Sequence, residues 1–274
     1  MSDSKRKSSS SDKRKKKRYR PDGMAGNKRT VEGPGVWVSC VKGKEKQTVG
    51  ELYDLFDSIA SEIWPLESAG EDGCSDSDSS QDGQNEAPIE AQIANEISSI
   101  KKPRTMQRFS NYQTNTPCVV FISCRGPVDP VRLVEAHIGN VQRTGVTRTR
   151  YTHRFVPVSK TCFASIPDIQ NLCQTMFLTY FSENPNAKDT YKIELRTRNH
   201  TTLSRLEIIQ AIASCVPGDL KVDLTNPKLF ILVEIFKSVC GISITKDYYN
   251  LHKYNVMEIA TAKGETELNS GRVP

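Results

Sequence analysis

Residues 221–244 have the sequence KVDLTNPKLFILVEIFKSVCGISI. This pattern predicts three short strands, over residues 221–224, 228–236 and 241–245. The nearly continuous apolar run Leu229–Val233 is typical of a strand buried on both faces, because a strand with one solvated face alternates apolar and polar residues. We therefore expect the middle strand to lie inside a sheet, with a packed layer on either side of it.

The residues before this stretch predict a helix, a strand and a second helix. Residues 167–181 have the apolar spacing of an amphipathic helix. Residues 191–196 alternate between apolar and charged side chains, which is typical of a half-buried strand. Ser204 and Glu207 have the spacing of a capping box, so a helix is expected to begin there.

The first half of the chain predicts a small α+β domain. A strand is expected over residues 36–40, followed by a helix that begins behind a capping box of Thr48 and Glu51 and stops at Pro65. The elements expected after it are a second helix over residues 89–100, a strand over 118–124 and a short helix that begins at Asp129 and Pro130.

Charge is distributed unevenly along the chain, whose formal net charge is +6. Residues 1–29 contain twelve Lys and Arg against three Asp, whereas residues 67–90 contain eight acidic residues and no basic one. Too few apolar residues are present to offset the entropy of ordering, so residues 1–32 and 67–87 are expected to be disordered. The run Lys13–Arg18 predicts a nuclear-import signal or a nucleic-acid-binding arm, with a plain solubilising tail as the alternative.

The sequence motifs argue against several classes of protein. No apolar run approaches the roughly 20 residues of a membrane span, and the N-terminus has no apolar stretch that could act as a signal peptide. The eight cysteines include no CxxC pair, which argues against a zinc cluster. Glycine-rich nucleotide-binding, P-loop, nucleophile-elbow and metalloprotease motifs are missing from the sequence. We therefore expect no catalytic residue, no metal and no small-molecule cofactor.

Two basic segments predict a nucleic-acid interface. Between residues 142 and 160 there are five cations and no acid, with Tyr151, His153 and Phe155 interleaved. Arginine offers bidentate contacts to phosphate, and aromatic side chains stack on unpaired bases. We expect this segment to be a strand with its arginines facing outward, because burying uncompensated cations is costly. The candidate RNA-contacting residues, including a second patch that ends the strand at 191–196, are Arg143, Arg148, Arg150, Arg154, Lys160, Arg196, Arg198, Asn199, His200 and Lys237.

Three stretches resemble a known domain. RFVPVSKTCFAS (154–165), YKIELRTRNH (191–200) and the stretch at 221–244 are similar to a THUMP domain. GPGVWVSC (33–40) and the acidic interruption after the first helix further resemble the eukaryotic THUMP-domain adaptors of tRNA cytidine acetylation. The resemblance implies an α+β fold in which a ferredoxin-like module precedes the THUMP domain. The implied organisation is a disordered basic tail over 1–32, a ferredoxin-like domain over 33–140 with a disordered acidic insertion over 67–87, a THUMP domain over 141–250 and a disordered tail over 259–274.

The resemblance also implies a function. The two modules would grip the acceptor stem and 3′ end of tRNA, and the chain would be a non-catalytic adaptor. As an accessory subunit it would present serine and leucine tRNAs to a cytidine acetyltransferase, which brings its own acetyl-CoA and ATP and forms 4-acetylcytidine in the D-arm. The roughly 30 residues after Thr245 are too few for a catalytic domain of about 100 residues or more. The expected location is the nucleus, in particular the nucleolus.

Two alternatives to the adaptor stay open at this point. Residues 142–147, QRTGVT, resemble the turn that binds the acetyl-CoA pyrophosphate in acetyltransferases, although Thr147 stands where a small residue is needed. The chain would then be an acetyltransferase acting alone. In the second alternative the basic strand docks an acidic protein partner rather than RNA, and the chain is an interaction scaffold.

Overall fold

The computed structural model describes residues 31–65, 107–184 and 190–270. The basic run at 13–18, the acidic insertion at 67–87 and the helix expected over 89–100 lie outside the described residues. The first module consists of β1 (Gly35–Cys40), α1 (Glu45–Ile63), β2 (Phe109–Tyr112), β3 (Val119–Cys124), α2 (Pro130–Thr144) and β4 (Thr152–Val158).

The first sheet has the strand order β2-β3-β1-β4, with every neighbouring pair antiparallel. This order and the βαββαβ succession are those of a ferredoxin-like fold, so the predicted fold of this module is confirmed. Apolar side chains of α1 and α2, such as Leu52, Phe56 and Leu133, are fully buried and cover one face of the sheet. The strand β2 was not expected from the sequence, since its four residues are too few to show an alternation.

Strand β4 begins later in the sequence than predicted, and it pairs with a strand of the first module rather than of the second. Residues 146–151, expected to be extended, form a loop, and the strand begins at Thr152. It pairs with β1 from Gly35 opposite Val158 to Ser39 opposite Arg154. The predicted domain boundary between residues 140 and 141 falls inside α2, and β4 belongs to the first module rather than to the second. The sequence could not show this, because the apolar pattern of a strand does not reveal which sheet the strand joins.

The second module follows after the single residue Ser159. Its sheet has the order β5-β8-β7-β6, with β6 and β7 parallel and the other pairs antiparallel. The elements are β5 (Lys160–Phe163), α3 (Ile166–Glu183), β6 (Tyr191–Arg198), α4 (Arg205–Ala213), β7 (Leu229–Phe236) and β8 (Val239–Lys246), then a 3-10 turn (His252–Tyr254) and α5 (Val256–Ser270). Among the described residues no helix is long and apolar enough to cross a membrane.

Strand β7 belongs to two cores, which confirms the prediction of a strand buried on both faces. Its odd-numbered residues, such as Ile231 and Val233, pack with α3 and α4. Its even-numbered residues Phe230, Leu232 and Phe236 pack with the core of the first module. The alternation of side chains along a strand places the two sets on opposite faces. Strand β7 therefore lies between the helices of the second module and the sheet of the first.

The helix ends confirm two predictions and correct a third. Ser204 and Glu207 form the predicted capping box of α4. Asp129 caps α2 by accepting a hydrogen bond from the Val131 N–H at 2.8 Å. The capping box expected at Thr48 is wrong, since α1 begins at Glu45 and the Thr48 hydroxyl donates to the Lys44 carbonyl inside the helix.

Two segments near the C-terminus also differ from expectation. The strand expected over 221–224 is reduced to an isolated bridge between Tyr191 and Val222. Residues 259–270, expected to belong to a disordered tail, continue α5. This helix has a reason to form, because Val256 and Ile259 are buried in the core of the first module.

The two modules approach closely where β8 faces β4. A Cβ atom on Gly241 would lie 2.8 Å from Cγ1 of Val158, so the glycine is required for this approach. Nearby, the hydroxyl of Ser243 donates to the Pro157 carbonyl at 2.8 Å. Trp37 packs against Phe236 with ring centroids 4.8 Å apart. These contacts bring the polar residues of β4, β6 and β7 into a shared cleft.

Candidate nucleic-acid interface

Three arginines from two sheets meet in the cleft between the modules. Arg154 comes from β4, and Arg196 and Arg198 come from β6; together they form the arginine cluster. With Glu234 of β7 they line a small cavity, whose apolar wall includes Trp37 and Phe236. The sheets thus bring together cations that are more than 40 positions apart in the sequence.

Glu234 is the acidic group of this cleft. It lies directly opposite Arg196 in the β6–β7 register, and its Oε1 is 3.7 Å from Nε of Arg196. Burial raises the pKa of Glu234 to about 7, even though Arg196, Arg198 and Arg154 all lower it. The carboxyl group therefore changes its charge near neutral pH.

Arg196 is held on its other side by Tyr248. Nη2 of Arg196 donates to the Tyr248 hydroxyl at 3.3 Å. Burial raises the pKa of Tyr248 to about 12, so its phenol stays neutral. Arg196 therefore has two fixed partners, which define the direction of its guanidinium group.

Arg154 does not face outward as the sequence predicted. It is half-buried, and its Nε is buried with no hydrogen-bond partner among the described residues. The reason is the pairing of β4 with β1, which places Arg154 opposite Ser39 on the face of the sheet that meets the second module. Arg198, the last residue of β6, is also half-buried. Neither Arg154 nor Arg198 has a carboxylate within 4.0 Å in the described part of the chain.

Three further candidates form a rim beside the cluster, namely Asn199, His200 and Lys237. Lys237 Nζ donates to the Thr114 carbonyl at 2.8 Å, and Asn199 Nδ2 donates to the Thr116 hydroxyl at 3.3 Å. His200 accepts at Nε2 from the Leu203 N–H, so its Nδ1 donates to the Lys237 carbonyl at 2.6 Å. The rim therefore ties the second module to the β2–β3 loop of the first. Asn199 and Lys237 remain exposed beside these contacts.

The other candidates lie apart from the cluster. Arg143, Arg148 and Arg150 form a peripheral group, exposed at the end of α2 and in the loop before β4. Arg148 donates to the Ser58 hydroxyl at 3.2 Å, and the Arg150 backbone N–H donates to a Glu51 carboxylate oxygen at 3.0 Å. Lys160 is exposed at the start of β5. Segment 142–160, which contains no acidic residue of its own, thus has the carboxylate of Glu51 beside it in the folded protein.

The interleaved aromatic residues are not equivalent. Phe155 is fully buried and packs edge-on against His137, so it is not available to stack on a base. His153 is exposed, and Tyr151 is half-buried with the Lys44 ammonium 5.5 Å from its ring centroid. Lys44 was not among the residues predicted from the sequence. It lies near this segment because the Val41 N–H, three residues earlier, donates to the Tyr151 carbonyl.

The turn at residues 142–147 does not fit a pyrophosphate. It lies at the C-terminal end of α2, where Gly145 adopts the left-handed conformation and its N–H donates to the Val141 carbonyl. A helix C-terminus carries the negative end of the helix dipole, whereas bound phosphates are stabilised at a helix N-terminus. No group of three or more potential metal ligands occurs among the residues that the structure describes.

Comparison with known proteins agrees with this architecture. The THUMP domain family matches residues 163–245, from the end of β5 to β8. THUMP domain-containing protein 1 of Homo sapiens is 32% identical over 256 residues, which are 90% of this chain and 70% of that protein. The chain belongs to the THUMP domain-containing protein 1 family.

Two fungal proteins extend this comparison. An uncharacterised Schizosaccharomyces pombe protein, C25H2.10c, is 32% identical over 82% of this chain and 75% of its own length. A Saccharomyces cerevisiae protein named tRNA acetyltransferase TAN1 is 28% identical over 84% of this chain and 85% of its own length. The similarity in each case includes both modules rather than the THUMP domain alone.

The family match divides the candidate residues in two. Arg196, Arg198 and the rim lie within the matched THUMP domain. Arg154 and the peripheral group precede it, in the ferredoxin-like module and its loops. The arginine cluster is therefore a composite feature, which needs the docking of the THUMP domain against the preceding module.

Proposed function

We propose that this protein binds tRNA through the cleft between its two modules and acts in tRNA modification. The observation that carries the proposal is the convergence of Arg154, Arg196 and Arg198 in one cavity that contains a single carboxylate, which pairs with Arg196. The cleft has an excess of positive charge, and guanidinium groups bind phosphates through paired, charge-assisted hydrogen bonds. The rim adds an exposed lysine and an exposed asparagine, whose side chains donate to phosphate or base oxygens.

We further propose that the chain is a non-catalytic accessory subunit of a tRNA cytidine acetyltransferase. The name of the yeast relative, tRNA acetyltransferase TAN1, connects the family with tRNA acetylation. The resemblance to the THUMP-domain adaptors extends this proposal to serine and leucine tRNAs, with 4-acetylcytidine formed in the D-arm by a separate enzyme. The turn at 142–147 lies at the C-terminal, negative end of the α2 dipole, which does not favour the pyrophosphate of acetyl-CoA. This favours a partner enzyme that brings its own acetyl-CoA.

A reconstitution assay tests the accessory role. The purified chain, a serine tRNA transcript, acetyl-CoA and ATP are incubated with and without a tRNA cytidine acetyltransferase, and acetylated cytidine is measured by mass spectrometry. Product is expected only when the enzyme is present, and in larger amount with the chain than without it. Product formed by the chain alone would contradict the accessory role and favour a stand-alone acetyltransferase, as the name of the yeast relative suggests.

A competition experiment separates RNA binding from docking of an acidic protein. Fluorescent tRNA bound to the chain is challenged with unlabelled tRNA and, separately, with an acidic peptide of equal charge. Unlabelled tRNA is expected to displace the probe at far lower concentration, because duplex phosphates and bases offer contacts that charge alone does not provide. Equal displacement by both competitors would favour the interaction scaffold.

We also propose that the protein is imported into the nucleus and concentrates in the nucleolus. The support is the sequence KRKKKR at residues 13–18, a pattern typical of import signals. Deletion of residues 1–30 is expected to reduce nuclear accumulation of a fluorescent fusion. The same deletion should leave the melting temperature of the purified chain unchanged, which distinguishes loss of import from misfolding.

A further inference from the structure

We infer that Glu234 is a positioning residue of the RNA site, whose carboxylate pairs with Arg196 of the arginine cluster in the free protein and takes up a proton when an RNA phosphate reaches the cluster. The inference rests on the proposed function and adds to it a way of regulating the same site. The group concerned is one buried side chain of β7, and neither the sequence patterns nor the family match assigns it a role.

The surroundings of Glu234 show that packing does not require a carboxylate there. It occupies the even-numbered face of β7, between Leu232 and Phe236, and is 8% exposed. Its neighbours across the sheet are Arg196 on β6 and Gly241 on β8. An apolar side chain would suit the packing on this face, since burying a carboxylate is costly unless it is paired. The arginines are therefore the reason for an acid at this position.

The charged and titratable groups that face Glu234 come from several elements. Strand β6 contributes Arg196 and Arg198, and β4 contributes Arg154, each of which acts on the carboxylate electrostatically. The segment after β8 contributes the neutral phenol of Tyr248, hydrogen-bonded to Arg196. The part of β1 that lines the cavity is uncharged. Within the described residues the cavity thus combines three cations with one acid, and an incoming phosphate finds attraction from the arginines but repulsion from the carboxylate.

Proton uptake removes that repulsion. Burial places the pKa of Glu234 at about 7 in the free protein. A phosphate beside the cluster adds a negative charge, which raises this pKa further. RNA affinity is therefore highest where the carboxyl is protonated in both states, at pH below the free-state value. It falls as the pH rises above about 7, and it levels off once the pH exceeds the pKa of the RNA-bound state.

The pH dependence of binding tests this inference directly. The dissociation constant of a serine tRNA transcript is measured at constant salt between about pH 7 and about pH 8.5, a window that lies above the midpoint of about 6.5 for an unperturbed imidazole. The wild-type chain is expected to lose about three- to fivefold in affinity across the window, within the limit of tenfold per pH unit for one proton. Glu234→Gln, which imitates the protonated carboxyl, is expected to give a flat profile. At the upper end of the window it should bind more tightly than wild type.

Glu135→Gln is the matched control. Glu135 is another carboxyl whose pKa is raised by burial, and it accepts a hydrogen bond from Thr245 away from the cluster. This variant should keep the wild-type pH profile. If Glu234→Gln also keeps the wild-type pH profile, the inference is overturned. An unchanged profile is the result expected if Glu234 has only a structural role.

A second measurement needs no substitution and covers the case in which Glu234→Gln does not fold. Calorimetry of the unaltered chain with the same tRNA, in two buffers of different ionisation enthalpy at about pH 7.5, should report net uptake of a fraction of a proton. Binding without uptake would overturn the inference and leave the proposed function standing. No binding under any condition would overturn the proposed function, and the inference with it.

Discussion

The arginine cluster and the peripheral group contain the same number of arginines, but they differ in burial and in the elements on which they lie. Arg154, Arg196 and Arg198 lie on strands of two sheets and are half-buried. Arg143, Arg148 and Arg150 lie at a helix end and in a loop, and they are exposed. Fixing an exposed arginine on a ligand costs up to about 2 kcal/mol of side-chain entropy, much of which the cluster has already lost on folding. We therefore expect the cluster to determine affinity and the peripheral group to attract RNA from a distance.

The largest effect is expected from removing two arginines of the cluster. Arg154→Gln combined with Arg198→Gln should weaken tRNA binding at least about 100-fold, because two charge-assisted contacts, each of about 1.5 kcal/mol or more, are lost. Arg196 is retained so that Glu234 keeps its ion pair. The measurement is the dissociation constant at constant salt and pH, with thermal melting to establish that the variant is folded. An affinity within threefold of wild type would remove the cluster from the RNA site.

The next effect concerns the approach of the modules that forms the cluster. Gly241→Ala should destabilise the protein by about 1–3 kcal/mol, since the new methyl group would lie 2.8 Å from the buried side chain of Val158. Chemical denaturation measures the change. Val158→Ala in the same chain should recover part of the loss, which a double-mutant cycle will detect as coupling between the two positions.

Gly139→Ala serves as the control for that substitution. Gly139 is an exposed residue of α2, and a Cβ atom there would have no neighbour within 4 Å. Alanine is favoured over glycine in a helix by roughly 0.5–1 kcal/mol, so this variant should be slightly more stable than wild type. If Gly241→Ala were equally harmless, the close packing of β8 on β4 would not be important for stability.

The smallest effect is expected from the peripheral group. Replacing Arg143, Arg148 and Arg150 together by Gln should weaken tRNA binding by only about three- to tenfold, mainly through a slower association rate. Stopped-flow association at several salt concentrations measures this, and the loss should diminish as salt screens the long-range attraction. A loss as large as that of the cluster variant would contradict the distinction between the two groups.

The fold could be predicted from the sequence where a segment is long and strongly patterned. Leu229–Val233 indicated the doubly buried strand, and Ser204 with Glu207 indicated the start of α4; the structure confirms both. Short or context-dependent segments could not be predicted. Residues 109–112 form a strand only because β3 is there to pair with them, and the final helix forms where its apolar residues meet a distant core.

The candidate site was harder to predict than the fold, because charge patterns are linear and the site is not. Arg154 and Arg196 are far apart in the sequence, and the structure places both in one cavity. The inward direction of Arg154 depends on which face of β4 meets the second module. Glu234 gave a signal that could have been noticed, namely a single acid within the otherwise apolar sequence LFILVEIF. Such an acid in a buried strand indicates that cations must come from elsewhere in the fold.

The sharing of β7 between two cores has a consequence for biosynthesis. The core of the first module contains Phe230, Leu232 and Phe236 from β7. It also contains Tyr254, Val256 and Ile259 from the 3-10 turn and α5. As the polypeptide leaves the ribosome, residues 31–158 therefore emerge long before their own core is complete. The apolar face that meets β7, including Trp37, stays uncovered until β7 has emerged. Nascent chains should consequently gain protease resistance in one late step, rather than module by module from the N-terminus.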